Sequence, residues 1–162
     1  MAMSAYVLCA LTPIGLAQGV TIRVRVYDGR TGKNLSGMNL ELIDYHNEQA
    51  QSTGDDLNGR THVGTSPNGE SYTARTDPKG VLVFAGLGRN GYWTQCSKQK
   101  FYDSSERKYG SEYLYPVSTI AASGLVAANS CSKKTATATP GELVIFVRPS
   151  TWWERFIAGL RS

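Results

Sequence analysis

The first 18 residues, MAMSAYVLCALTPIGLAQ, contain no charged side chain. Histidine is nearly absent from the 162-residue chain: His46 and His62 are the only two. Cysteine occurs three times, at Cys9, Cys96 and Cys131. The sequence has no GxSxG elbow, no HExxH and no glycine-rich phosphate loop, so the common hydrolase, zinc-protease and nucleotide-binding signatures are missing. It has no repeat of 20 to 50 residues and no low-complexity tract. Charge of one sign is scarce as well: 17 Lys and Arg against 13 Asp and Glu give +4. That balance suits solubility and a weak attraction to acidic surfaces. It is too thin for a nucleic-acid interface, which needs a dense basic patch.

The uncharged start is expected to be a signal peptide over residues 1–17. An apolar stretch from Ala5 to Leu11 is followed by small residues at Gly15 and Ala17, as a signal peptidase requires. It is too short for a comfortable membrane span. Its removal takes Cys9 with it and leaves Cys96 and Cys131. An even pair in an exported chain implies a disulfide between them, and neither lies in a metal-binding CxxC. The expected location is secreted or periplasmic.

What is abundant is strand and turn chemistry. VTIRVRVYD alternates, with Val20, Ile22, Val24 and Val26 on one face and Thr21, Arg23, Arg25 and Tyr27 on the other. MNLELID alternates again, through Met38, Leu40 and Leu42. SYTAR and YWTQCS are shorter strand candidates. VLVF follows the turn Asp77-Pro78-Lys79-Gly80, where Gly80 is expected to supply a positive φ. ELVIFVRP is a strand closed by Pro149, and STIAASGLV is either a strand or a helical turn. Two long polar insertions interrupt the pattern, at 45–70 and 97–115. The first is expected to hold a short hairpin. At the end, Thr151 and Glu154 have capping-box spacing. Trp153, Phe156, Ile157 and Leu160 then form an apolar stripe. This predicts a short amphipathic C-terminal helix over 150–162, packed across one end of a β-domain spanning 18–149.

Two motifs carry a resemblance. VYDGRTGKNLSGMNLELI and TDPKGVLVFAGLGRNGYW, in that order, resemble the carboxypeptidase-regulatory-like, transthyretin-like domains of bacterial surface proteins. The resemblance implies an all-β fold, a Greek-key β-sandwich of about seven strands. Some related modules carry a Lys–Asn isopeptide cross-link with the lysine on the first strand. Here that strand carries Arg23 and Arg25 and no lysine, so the cross-link is not expected.

The richest candidate site is the aromatic and cationic segment from Tyr92 to Tyr115. Aromatic faces with polar tips bring rigid contact area at low entropy cost. Trp93, Tyr102, Arg107, Lys108, Tyr109 and Tyr113 are the candidate partner-binding residues. The expected function is a non-enzymatic, exported binding module for a protein or glycan, without cofactor, metal or nucleic acid. The competing reading within this segment is that Tyr92, Tyr113 and Tyr115 pack on the sandwich. Alternative functions are a metal enzyme using His46 and His62, with Asp44 or Asp55, and an assembly subunit pairing through an edge strand. Asp55–Gly59 offers oxygen ligands without the calcium-loop spacing. The tandem Trp152-Trp153, with Arg155 and Arg161, allows association with a membrane only through the C-terminal helix.

Overall fold

A computed structural model describes residues 19–35, 37–45, 60–64, 71–88, 93–100 and 102–159. The signal-peptide expectation, His46 and Asp55–Gly59 lie outside these residues. His62 lies in a strand, but its side chain is not among those described.

The chain is all-β. Its main strands are β1 (Val20–Asp28), β2 (Leu40–Tyr45), β3 (Arg60–Gly64), β4 (Tyr72–Thr76), β5 (Val81–Leu87), β6 (Trp93–Gln95) and β11 (Glu142–Pro149). Four shorter strands are added: β7 (Tyr102–Asp103), β8 (Lys108–Tyr109), β9 (Leu114–Pro116) and β10 (Leu125–Val126). Two helices follow, α1 (Val117–Ser123) after β9 and α2 (Trp152–Gly159) after β11. Nine strands form one sheet in the order β3-β2-β5-β6-β11-β1-β4, with β9 beside β5 and β10 beside β11. The end strands β3 and β4 approach each other, so the sheet is nearly closed into a barrel. Strands β7 and β8 form a separate two-stranded sheet.

Six of the seven main strands fall on runs read as strands in the sequence, and β3 lies in the 45–70 insertion, where a short hairpin was expected. The extra four are pieces of two or three residues, too short to leave a period-2 signal. The first and last strands pair in parallel, Arg23 opposite Glu142 through Asp28 opposite Val147. The other long pairings are antiparallel.

Alternation along β1 works as expected. Ile22, Val24 and Val26 are buried, and Val20 is packed against them. They meet Leu40, Leu42, Tyr72, Leu82, Phe84, Leu87, Leu143, Ile145 and Val147 in the main core. Helix α1 contributes Val117 and Ile120 to the same core. It sits where β1 and β11 begin, because Gly141 N–H donates to the Ile120 carbonyl at 2.8 Å and Arg23 N–H to the Gly141 carbonyl at 2.9 Å.

Strands β5 and β11 are buried on both faces. That explains their unbroken apolar runs, VLVF and LVIFV. The outer face of β5 is covered by the second insertion, where Val83 packs with Tyr45 and Tyr113. The outer face of β11 is covered by residues 127–140, a strap that places Ala136, Ala138 and Cys131 over Val144 and Phe146. Cys96 and Cys131 are joined, with Cα atoms 5.4 Å apart. The disulfide rests on Gly29, where a β-carbon would collide with Cys96 Sγ and with Asn129 Oδ1.

The Asp77–Gly80 turn forms as expected, but for a different reason. Asp77 Oδ1 accepts the Lys79 N–H at 2.8 Å, and Gly80 N–H donates to the Asp77 carbonyl at 2.9 Å. Gly80 does not take a positive φ. It is a glycine because its backbone lies against Asp44: a β-carbon would sit 2.9 Å from Asp44 Oδ1 and 2.9 Å from the Tyr45 carbonyl.

Candidate partner-binding surface

The second insertion is anchored by polar side chains rather than by a long ladder. Buried Gln95 donates to the Glu112 carbonyl at 2.7 Å and accepts from the Tyr115 hydroxyl. Glu112 accepts from the Ser97 hydroxyl and from the Lys98 N–H at 2.9 Å. The Ser97 bond is the main cause that holds the Glu112 carboxyl below its ordinary pKa. Burial raises the Tyr115 and Tyr113 hydroxyls above theirs. Strand β9 then pairs with β5, Leu82 opposite Tyr115.

This framework divides the expected site residues. Tyr113 is buried, 5% exposed, and its hydroxyl donates to the Gln99 carbonyl at 3.3 Å. Trp93 is half-buried against the main core and pairs with Pro149. Tyr113 is thus packed inside, and Trp93 keeps part of its surface exposed. An aromatic-rich sequence does not reveal which rings the next strand turns inward. Tyr102, Arg107, Lys108 and Tyr109 are brought together on the β7–β8 hairpin. Tyr102 and Tyr109 face each other across it, edge to face, with centroids 5.3 Å apart. Tyr45 and Tyr109 share a hydroxyl–hydroxyl bond of 2.9 Å. Burial, then that bond, pushes the Tyr45 hydroxyl above its ordinary pKa. The tip turns through Ser104–Arg107. Arg107 is exposed with φ of 50°, a left-handed conformation that presents its side chain at the end of the hairpin. Lys108 pairs with Glu106, whose hydrogen bond raises the lysine's pKa.

Helix α2 carries a second aromatic cluster. Trp152, Trp153 and Phe156 are 69%, 59% and 49% exposed. The expectation that Trp153 and Phe156 pack on the sandwich is therefore not met. The three side chains pack on one another instead. Their centroids are 5.1, 5.6 and 5.7 Å apart and their planes lie within 16° of parallel. Three near-equal separations exclude a simple column, so the rings form an offset group. Tyr113 packs with Tyr109 and lies within electrostatic reach of Arg148 and Glu154 at the base of α2.

No family model, curated protein or solved structure matches this chain. The site is thus defined by its own geometry.

Helix α2 is held by the capping box expected from Thr151 and Glu154, closed here by an arginine. Glu154 accepts from Thr151 N–H at 2.7 Å and from Arg148 at 2.6 and 2.9 Å. The Arg148 bond is the main cause that lowers Glu154 to about 2. A depressed carboxylate contributes stability above its unfolded pKa, about 4.3. That contribution fades as pH falls through about 2. The base of α2 is therefore expected to loosen in strong acid before the barrel does. Trp fluorescence titrated from pH 6 to pH 1.5 should show a transition absent in Glu154→Gln. Identical curves for both proteins would refute it.

The alternative metal site gains no support from Asp44. Its Oδ2 accepts from buried Thr76 at 2.7 Å, tying β2 to β4. Among the described residues no three His, Cys, Asp or Glu side chains group as a metal site. No helix among them is long and apolar enough to cross a membrane.

Proposed function

We propose that this chain is an exported, non-enzymatic binding module on a transthyretin-like Greek-key frame, engaging a protein or glycan of the cell envelope. One observation carries the reading: the solvent-exposed group of Trp152, Trp153 and Phe156 on α2. Large aromatics left in water by the fold are the residue type that dominates binding hot spots. The polar tip of the hairpin, with Arg107 and Lys108, supplies further exposed donors. The disulfide across the strap fits an oxidising compartment.

The test is retention of the protein on immobilised envelope glycan and envelope protein fractions. Trp152→Ala/Trp153→Ala is expected to weaken retention by about tenfold or more, because each hot-spot residue contributes about 1–2 kcal/mol. Unchanged retention of a folded double variant would overturn the reading. The exposed tryptophan pair favours one second reading, docking of α2 on a lipid surface. Co-sedimentation with anionic vesicles, lost in the same variant, would select it.

A further inference from the structure

A cleft of about 390 Å³ opens between the strap and the outer face of β1 and β11. Its lining includes Arg25, Tyr27, Thr31, Lys134, Thr137 and Phe146. It shares no lining residue with α2 or the tyrosine hairpin. The turn after β1 and the strap are locked together at its mouth. Asn129 donates to the Gly29 carbonyl at 2.9 Å and to the Lys134 carbonyl at 2.9 Å, and Ser132 donates to the same Gly29 carbonyl.

Charge is concentrated here. Arg23 and Arg25 on β1, Arg30 and Lys33 on the turn, and Lys133 and Lys134 on the strap outnumber Asp28 and Glu142, the carboxylates these stretches and β11 carry among the described residues. Both carboxylates are engaged. Asp28 accepts from the Arg30 N–H at 2.8 Å, and Glu142 is held by Arg25 and Arg23. Arg25 is in turn occupied by Glu142, by the Tyr27 hydroxyl at 2.7 Å and by the Thr137 carbonyl at 2.5 Å. Lys134 is different. Its stem lies over Gly32, and no carboxylate among the described residues pairs with its ammonium. An exposed cation thus stands in the lining of a cleft whose other cation, Arg25, is already neutralised.

The rest of the lining narrows the ligand. Tyr27 presents a hydroxyl, Thr31 offers another, and the Tyr27 and Phe146 rings, 6.0 Å apart, give an apolar wall. Hydroxyl partners, a short apolar wall and a lysine that no carboxylate among the described residues pairs with match a sugar ring that carries an acid group. The apolar face of a sugar meets the aromatic wall, its hydroxyls meet Tyr27 and Thr31, and its acid group meets Lys134. The volume accommodates one or two rings rather than an extended polymer groove. We propose that this cleft binds an acidic saccharide, with Lys134 as the residue that reads the acid group.

The test is calorimetric titration of the intact, oxidised protein with a galacturonate disaccharide at low salt. Binding is expected, with roughly tenfold weakening in Lys134→Ala, the scale of one charge-assisted hydrogen bond. Lys79→Ala, an exposed cation on the β4–β5 turn, should bind as the unaltered protein does. The neutral galactose disaccharide should bind at least about tenfold more weakly, by the same charge-assisted bond. Equal binding of both sugars, no binding of the acidic one at millimolar concentration, or full affinity in Lys134→Ala would each overturn the proposal. So would Lys134-dependent binding of a short oligonucleotide in place of the disaccharide. Lys134 is exposed, so its replacement leaves the fold intact, and Thr31→Val provides a second variant on the opposite wall.

Discussion

Cys96→Ser/Cys131→Ser is expected to unfold with about 3–4 kcal/mol less stability than the oxidised protein, by chain entropy alone. The bond closes a loop of 35 residues, and opening it lets the unfolded chain explore conformations it is now denied. The folded side adds to the effect. The bond presses Cys131 and the strap onto Val144 and Phe146, and it fills the space against Gly29. Without it, the strap is tied to β11 by the Ala127 N–H bond to the Val144 carbonyl and the Thr139 N–H bond to Glu142, and to the turn after β1 by the Asn129 and Ser132 bonds to the Gly29 carbonyl. Urea denaturation of the double variant, and of the natural protein with and without reductant, measures the loss. It corresponds to a fall in Tm of about 10 °C at this chain length. A loss below about 1 kcal/mol would show that the strap is held without its covalent tie, against the usual range.

Glu142→Ala is expected to cost about 3 kcal/mol, since it strands the arginine it now neutralises. Glu142 is buried at the start of β11. Its Oε2 accepts from Arg25 Nη2 at 2.9 Å, and Oε1 lies 2.7 Å from Arg25 Nε in a charge contact that is out of hydrogen-bond alignment. Arg23 approaches the same oxygen at 3.4 Å. Burial by itself pushes the carboxyl up. The Thr139 N–H bond and the two arginines overcome this and hold it below the ordinary glutamate value. The sign follows from that depression. Glu142 stabilises the fold above about pH 4.3, its value in an unfolded chain, and the gain is lost as pH falls through the folded value. The stability gap between the natural protein and Glu142→Gln should therefore be wide at pH 7 and close towards pH 2. A gap that stays constant with pH would assign the effect to packing alone.

Much of the barrel was legible because its strands bury one face at a time. Val20–Tyr27 and Met38–Leu42 announce themselves by alternation, and Ile22, Val24, Leu40 and Leu42 occupy the core as expected. The unbroken runs at 81–84 and 143–147 carried a second message that alternation does not express. A strand apolar on both faces requires a cover, and the two covers are the polar insertion at 97–115 and the strap at 127–140. Their sequences read as solvated loops because only a few residues of each, such as Tyr113, Ala136 and Ala138, touch the sheet. Helix α1 escaped for a related reason. Seven residues with two apolar anchors, Val117 and Ile120, are too few to distinguish a helical period from a strand.

The candidate site was half legible. The tyrosines and cations of the hairpin are adjacent in sequence, so their proximity was expected. The exposure of Trp153 and Phe156 was not, because an apolar stripe on a helix ordinarily predicts burial. The cleft drew no attention at all. Its Arg25, Thr31 and Lys134 come from three separate stretches, and only the strap brings the last of them to the first.

The parallel pairing of β1 with β11 also dictates when this protein is able to fold. Arg25 and Glu142 meet across 117 residues of sequence. Strand β11 lies between β1 on one side and β6 and β10 on the other. Until it is made, β1 has only β4 beside it, and the interior stays open along the seam. A chain emerging from the ribosome therefore has no closed barrel until its final strand is out, and such long-range closure is slow. That delay leaves the nascent polypeptide an open sheet until Glu142–Pro149 has been synthesised.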